Sequence, residues 1–433
     1  MDAGDLIDLD VTDVAHGGVF VGRHEGRVVF VPDAIPGERV RVRLTDTGKS
    51  AFWRGETLEV LDASAHRRPH VWRDADVDVA PQYRPGGADF GHIDLAHQRE
   101  LKSRVLGDAL RRMAGLDVPT PMEAAGAGGS DGEESADGTG WRTRVSLHVD
   151  AEGRVGPFAA RSHRVIEVDE HPLAVPAIAE AARTVRGLPA GRIDLVVPAD
   201  GRVRLLSRPE TPPRTPPRAR RGARRPPADP AIREVVVETV GGRDFRVDAG
   251  GFWQVHRLAA ATLTDAVATA LREDGSLDPD ATNLDLYGGV GLLAAAVAGV
   301  GGAGTRITSV ESDARATEHA GENLAEWVGA RAETGRVDRW LADVARTASA
   351  EQRARLARGV VVLDPPRAGA GREVVDLLAD LDPARIVYVA CDPVALARDL
   401  ATFRAHGYDT RSVRAFDLFP HSHHVEAVAV LSR

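Results

Sequence analysis

The sequence predicts an α/β protein: a C-terminal Rossmann-like domain, preceded by a small β-barrel and a central α+β domain. Three observations carry that prediction. From about Leu258 onward, short apolar runs alternate with helical patterns, the signature of a doubly wound parallel sheet. Within that stretch, residues 283–298 read as a strand, a glycine-rich turn and an apolar helix. Before Leu61, apolar and polar residues instead alternate in short runs broken by Gly and Pro, which suits a small closed barrel of the OB type.

The bulk composition agrees. The chain has 433 residues, enough for two or three domains, and its 43% hydrophobic and 27% charged residues are those of a globular protein with ample core. A single cysteine, Cys391, excludes an intrachain disulfide and points to a reducing compartment. The acidic N-terminus has no apolar signal core, and no run approaches the roughly 18 apolar residues needed to span a bilayer. A cytoplasmic protein without a membrane partner is expected. The net charge of −9 argues mildly against nucleic-acid binding, but local distribution says more than the sum.

The elements follow in order. Residues 1–62 should form the barrel, with runs such as Gly18–Gly22, Arg27–Val31 and Glu38–Leu44 as strands. Residues 63–240 should form the central α+β domain. It holds a helix at about 95–115 with Leu101, Val105 and Leu110 on one face, expected to pack on the last domain. Two insertions read as disordered. One, about 123–140, is rich in Gly, Ser, Ala and acid; the other, about 208–230, carries seven arginines and one Glu between Arg208 and Arg225. The arginine run reads either as a solvated linker or as an arm that touches phosphate. Residues 241–433 complete the chain as the Rossmann-like domain.

The glycine-rich turn carries Gly288, Gly289 and Gly291, which allow close backbone approach and positive φ. Twenty residues beyond Gly291, a strand ends in Glu311, the spacing at which such folds set an acid against ribose hydroxyls. No phosphate signature follows, since Leu292 and Ala294 replace the later glycines. Asp285 just before the turn would repel a pyrophosphate but suits a cationic ligand, which favours S-adenosylmethionine over a dinucleotide. Two further strands end in functional side chains, one in Asp364 and one in Cys391 followed by Asp392 and Pro393. Because Pro393 breaks the strand, the thiol should lie at the carboxyl edge of the sheet, where open α/β sheets build their sites.

Taken together, residues 250–255, 285–291, 310–324, 364–369, 388–400 and 424–431 resemble, in order, the RNA (uracil-5-)-methyltransferase family. These are class I enzymes dependent on S-adenosylmethionine, and the N-terminal barrel is similar to their TRAM domain. The resemblance implies that Cys391 is the nucleophile and Glu426 the base. It also implies that Gln254, Tyr287, Glu311 and Asp364 line the cofactor or target-base pocket, with Asp343 near the adenine. No metal is implied. Some members hold an iron–sulfur cluster with four cysteines near the segment corresponding to residues 69–97; this chain has no thiol there, so no such cluster is expected. Other departures are Gly288 where many members have Cys, His256 and Asp392 where Asn is usual, and Leu292 where Asn often contacts the cofactor.

The implied reaction is methylation of carbon 5 of a uridine. That carbon is a weak nucleophile until a thiolate adds to carbon 6, so the site should lower the Cys391 pKa. The base must also leave its stack to reach the thiol. A barrel-bearing member points to 23S rRNA over tRNA, acting as a monomer. Two alternatives remain at this level: tRNA uracil-5 methylation, and a catalytically silent RNA-binding protein of the same fold.

Overall fold

The computed structural model describes residues 1–126, 132–210, 229–273 and 277–433. Strands β1 (Leu6–Ala15), β2 (Val19–His24), β3 (Arg27–Val31), β4 (Arg39–Asp46) and β5 (Phe52–Asp62) close into a barrel in the order β1-β2-β3-β5-β4. Alternation explains the closure: Ile7, Leu9, Val11, Phe20, Val29, Val40, Val42 and Leu44 point inward and are buried.

Helix α1 (Leu95–Ala109) is capped by the Asp94 side chain, which accepts from the His97 amide. It ties the chain to the C-terminal domain through a buried ion pair. Lys102 Nζ donates to Asp417 Oδ1 at 2.5 Å, and both side chains are fully buried. Of the segment 123–140, expected to be disordered from its composition, residues 123–124 instead belong to strand β6 (Met122–Ala124), and Glu123 accepts two hydrogen bonds from Arg414. Glu134 pairs with Arg99, and Ser135 Oγ donates to the Thr139 carbonyl at 2.6 Å. Residues 127–131 lie outside the described residues.

The central part has a four-stranded sheet made of β7 (Arg144–Val149), β8 (Val155–Gly156), β9 (Gly191–Val196) and β10 (Arg204–Pro209), covered by α2 (Pro176–Thr184). Most of the arginine-rich run, 211–228, lies outside the described residues; on either side of it, the Ser207 amide donates to the Asp229 carboxylate. A hairpin of β11 (Val235–Val240) and β12 (Arg243–Asp248) then leads to α3 (Ala259–Arg272).

The remaining elements alternate as the sequence pattern requires: β13 (Asn283–Leu286), α4 (Leu292–Gly301), β14 (Ile307–Glu311), α5 (Ala314–Asn323), β15 (Ala330–Thr334), α6 (Val337–Thr347) and α7 (Ala350–Ala357). They continue with β16 (Val360–Leu363), α8 (Gly371–Leu381), β17 (Arg385–Ala390), α9 (Pro393–Ala405), β18 (Asp409–Asp417) and β19 (Glu426–Ser432). The sheet order is β15-β14-β13-β16-β17-β19-β18-β6. The sheet is not wholly parallel, because β19 runs antiparallel between β17 and β18. That reversal matters for the site: it brings the start of β19 to the same edge as the ends of its neighbours.

Candidate active site

Strand register sets a row of side chains along this edge. Leu286 pairs with Val310 on one side and Leu363 on the other, so Tyr287, Glu311 and Asp364 are the next residues at three adjacent strand ends. Ala390 pairs with Ala427, and one step further come Cys391 on β17 and Glu426 on β19. Across β14, β13, β16, β17 and β19 the row therefore reads Glu311, Tyr287, Asp364, Cys391, Glu426. Four strand spacings give it a span of about 19 Å. All five residues, together with Gln254, line one cleft of about 1350 Å³.

Cys391 is half-buried in this cleft and is not sealed in the core. Asp392 caps α9, its Oδ1 accepting from the Val394 and Ala395 amides, and Pro393 takes the first helical position. This cap is the physical reason the strand stops at the thiol.

The electrostatics depart from the sequence expectation. The Cys391 thiol is not made more acidic; burial, then Glu426 and Asp364, push its pKa up to about 12, with Arg367 opposing. Burial and Asp364 hold Glu426 well above the usual carboxylate range. Asp364 is raised to about 7 by burial and by Asp285. In the RNA-free site the thiol keeps its proton chiefly because it is buried, and the two acids beside it add to the effect. Alkylation of Cys391 by iodoacetamide should accordingly keep accelerating above pH ~9, whereas an ordinary thiol levels off near its pKa of about 8.5. A rate that is flat from about pH 9 would contradict this arrangement.

At the other end of the row, Glu311 is held in place by its own loop. Its Oε1 accepts from the Asp313 amide at 2.7 Å and from Ser312 Oγ at 2.9 Å, and its Oε2 accepts from the Gly289 amide at 3.2 Å. Tyr287 adopts φ +65, and burial followed by Asp338 raises its hydroxyl pKa to about 12. Gly288 has a steric reason: a β-carbon there would stand 1.9 Å from Ser309 Oγ and 2.5 Å from Asp285 Oδ2.

Two sequence readings need correction here. Asp343 does not reach the cleft: it lies well inside α6, is exposed, and pairs with Arg346. Asp338, near the start of the same helix and just past the end of β15, lines the cleft instead. Asp285 does not face a ligand either. It is fully buried beneath the turn, accepts from Ser309 Oγ at 2.9 Å, and is raised to about 6 by burial. Glu311, Asp338 and Asp364 are among the acids that do line the cleft. Leu292 packs in the core, and His256 is a buried structural residue whose Nδ1 accepts from the Leu258 amide at 3.0 Å.

Other lining residues escaped the sequence reading. Phe252, two positions before Gln254, is 73% exposed, an apolar ring left open at the cleft wall. Arg142 and Arg367 add cationic side chains, and Arg367 donates to His424 Nε2 at 3.2 Å. Burial, then His423 and Arg367, lower the His424 pKa to about 3, so it is a neutral acceptor. The signal for Phe252 was its place beside Gln254; for Arg142 there was none. Among the described residues no cluster of His, Cys, Asp or Glu is grouped to hold a metal, and no helix is long and apolar enough to cross a membrane.

A mixed sheet with an antiparallel β19, an acid after β14 and a cleft along its carboxyl edge define a class I methyltransferase fold. Comparison with known proteins agrees. Residues 352–433 match the family model described as tRNA (Uracil-5-)-methyltransferase, and residues 3–60 match the TRAM domain. A protein of Streptomyces avermitilis named as an uncharacterized RNA methyltransferase is 39% identical, the match covering 99% of this chain and 98% of the relative. One from Bifidobacterium longum is 35% identical over 98% of this chain and 96% of its own. Among solved structures, the Pyrococcus abyssi tRNA (uracil-54, C5)-methyltransferase in complex with S-adenosyl-L-homocysteine superposes with a TM-score of 0.66. It is 21% identical, covering 98% of this chain and 100% of that one, and it shows the shared fold. The chain belongs to the RNA (uracil-5-)-methyltransferase family. It is an RNA methyltransferase that depends on S-adenosylmethionine.

Proposed function

We propose that this enzyme methylates carbon 5 of a uridine through a covalent bond between Cys391 and carbon 6, with Glu426 as the base. The observation that carries the reading is the register that sets Cys391 and Glu426 on neighbouring strands, in the cleft that also holds Glu311. S-adenosylmethionine supplies a methyl group on a cationic sulfur. The chain's acids fit that cation and its ribose: Glu311 is oriented by its own loop, and Asp338 and Asp364 line the space between. Gln254 and Tyr287 complete that wall.

The steps follow from the residues. Cys391 gives its proton up to solvent and its sulfur bonds to carbon 6. The ring double bond's electron pair moves onto the carbon 4 oxygen as an enolate, which makes carbon 5 nucleophilic. Once carbon 5 carries the methyl group, Glu426 removes the remaining hydrogen as a proton. The electron pair left behind restores the ring double bond and expels the sulfur. Phe252 offers a face on which an extruded base can stack, and Arg142 and Arg367 offer charge to its phosphates. The raised thiol and Glu426 pKa values give a direction for pH: both groups act deprotonated, so kcat/KM should rise with pH across about 7 to 9.

Glu311→Ala removes charged hydrogen bonds to the donor's ribose, each worth about 1.5–3 kcal/mol. Affinity for S-adenosylmethionine should fall about 10–100-fold by calorimetry, with RNA affinity unchanged. Unaltered donor affinity would remove Glu311 from this role.

The substrate we propose is 23S rRNA, with the barrel beside the reaction centre as its support. A tRNA target is the second reading, supported by the Pyrococcus abyssi enzyme, named for uracil-54 of tRNA, whose fold matches over 98% of this chain. The state we propose is a monomer working in the cytoplasm, where the only thiol stays reduced. Mapping 5-methyluridine in rRNA and tRNA from cells with and without the protein tests both substrates. Loss confined to tRNA would overturn the rRNA reading.

A further inference from the structure

The barrel touches both segments that carry the reactive pair. His16 lies in the turn between β1 and β2, and its Nε2 donates to Asp392 Oδ2 at 2.9 Å across 376 residues of sequence. The other oxygen of Asp392 caps α9 through the Val394 and Ala395 amides, at 3.0 and 2.8 Å. The carboxylate that follows Cys391 is therefore held from two sides, by the helix and by the barrel. Two residues beyond His16, Gly18 adopts φ +71 and lies against the segment leading to Glu426: a β-carbon there would stand 2.8 Å from His423 Nδ1. That ring is itself fixed by Asp89 Oδ2 at 2.7 Å.

We propose that the turn at 16–18 is a working part of the reaction centre and that His16 is a positioning residue for Cys391. The inference rests on the nucleophile reading given above. Upstream, the Cys391 backbone is fixed by the pairing of Ala390 with Ala427. Downstream it is fixed through Asp392, whose orientation depends on whether its second oxygen has a partner. Without His16 the helix cap survives, but Oδ2 is free to swing and the sulfur is less sharply aimed. Small errors in aim cost rate rather than binding. On this account the barrel does more than hold RNA: it finishes the wall behind the thiol.

The test uses the full-length protein and RNA containing 5-fluorouridine, at RNA concentrations shown to be saturating. The rate of covalent adduct formation is measured for wild type, His16→Ala and His16→Gln, alongside RNA affinity and melting temperature. The His16 side chain is half-exposed, so its removal leaves the barrel core intact. We expect His16→Ala to form adduct about tenfold more slowly with RNA affinity preserved, and His16→Gln, which keeps a donor, to recover most of the rate. The proposal is overturned if His16→Ala reacts at the wild-type rate, if its defect vanishes at saturating RNA, or if His16→Gln is as slow as His16→Ala. Adduct formation by Cys391→Ala would instead sink the nucleophile reading, whatever His16 does.

Discussion

Cys391→Ala protein should bind RNA and S-adenosylmethionine normally yet leave the RNA unmethylated. The side chain is half-buried and lines an open cleft, so truncating it removes little packing and should cost at most about 1 kcal/mol of stability. The chemical loss is of another order. Without sulfur on carbon 6, carbon 5 has no enolate behind it, and rates should fall on the order of a millionfold, as when other covalent nucleophiles are removed. Transfer of radiolabelled methyl into RNA measures this. Residual activity within about a hundredfold of wild type would mean that the reaction does not pass through Cys391.

Glu426→Gln should produce a different failure. The amide keeps the shape but cannot take a proton from carbon 5, so turnover should drop about 10²–10⁴-fold. The preceding steps remain open. After burial, Glu426 does most to keep the Cys391 thiol protonated, and an amide, which cannot take on the carboxylate's charge, lets the thiol ionise more readily. Methylated RNA should therefore accumulate still bonded to protein, visible as a slow-migrating species on a denaturing gel with unmodified uridine substrate. Fast turnover with no trapped species would reduce Glu426 to a buried strand end. The two variants are distinguishable because one stops before the bond forms and the other after it.

The broad architecture was legible because it depends on local pattern. Alternation in the first 62 residues and the turn at Gly288–Gly291 each encode their element through neighbouring residues alone. What depends on distant pairing was not legible. The antiparallel placement of β19 cannot be read from its residues, since Glu426–Leu431 are buried on both faces and look the same in either direction. Asp343 came from the resemblance alone, and which acid of this segment reaches the cleft depends on where α6 begins, a boundary weakly marked because no side chain caps it at Arg336. The acidity of the thiol was inferred from its role, whereas its surroundings are set by Glu426 and Asp364, which meet it only in the folded sheet. The partnership of His16 with Asp392 lies furthest beyond the reach of local pattern, because it joins the first domain to the last.

The central claim is that Cys391 bonds to the target base. RNA containing 5-fluorouridine, incubated with the protein and S-adenosylmethionine, tests it directly, because fluorine cannot leave carbon 5 as a cation and the release step stalls. Intact-mass analysis followed by peptide mapping should find one RNA-derived adduct, located on the peptide that contains Cys391. Methylated RNA without any such adduct, or an adduct on another residue, would contradict the account.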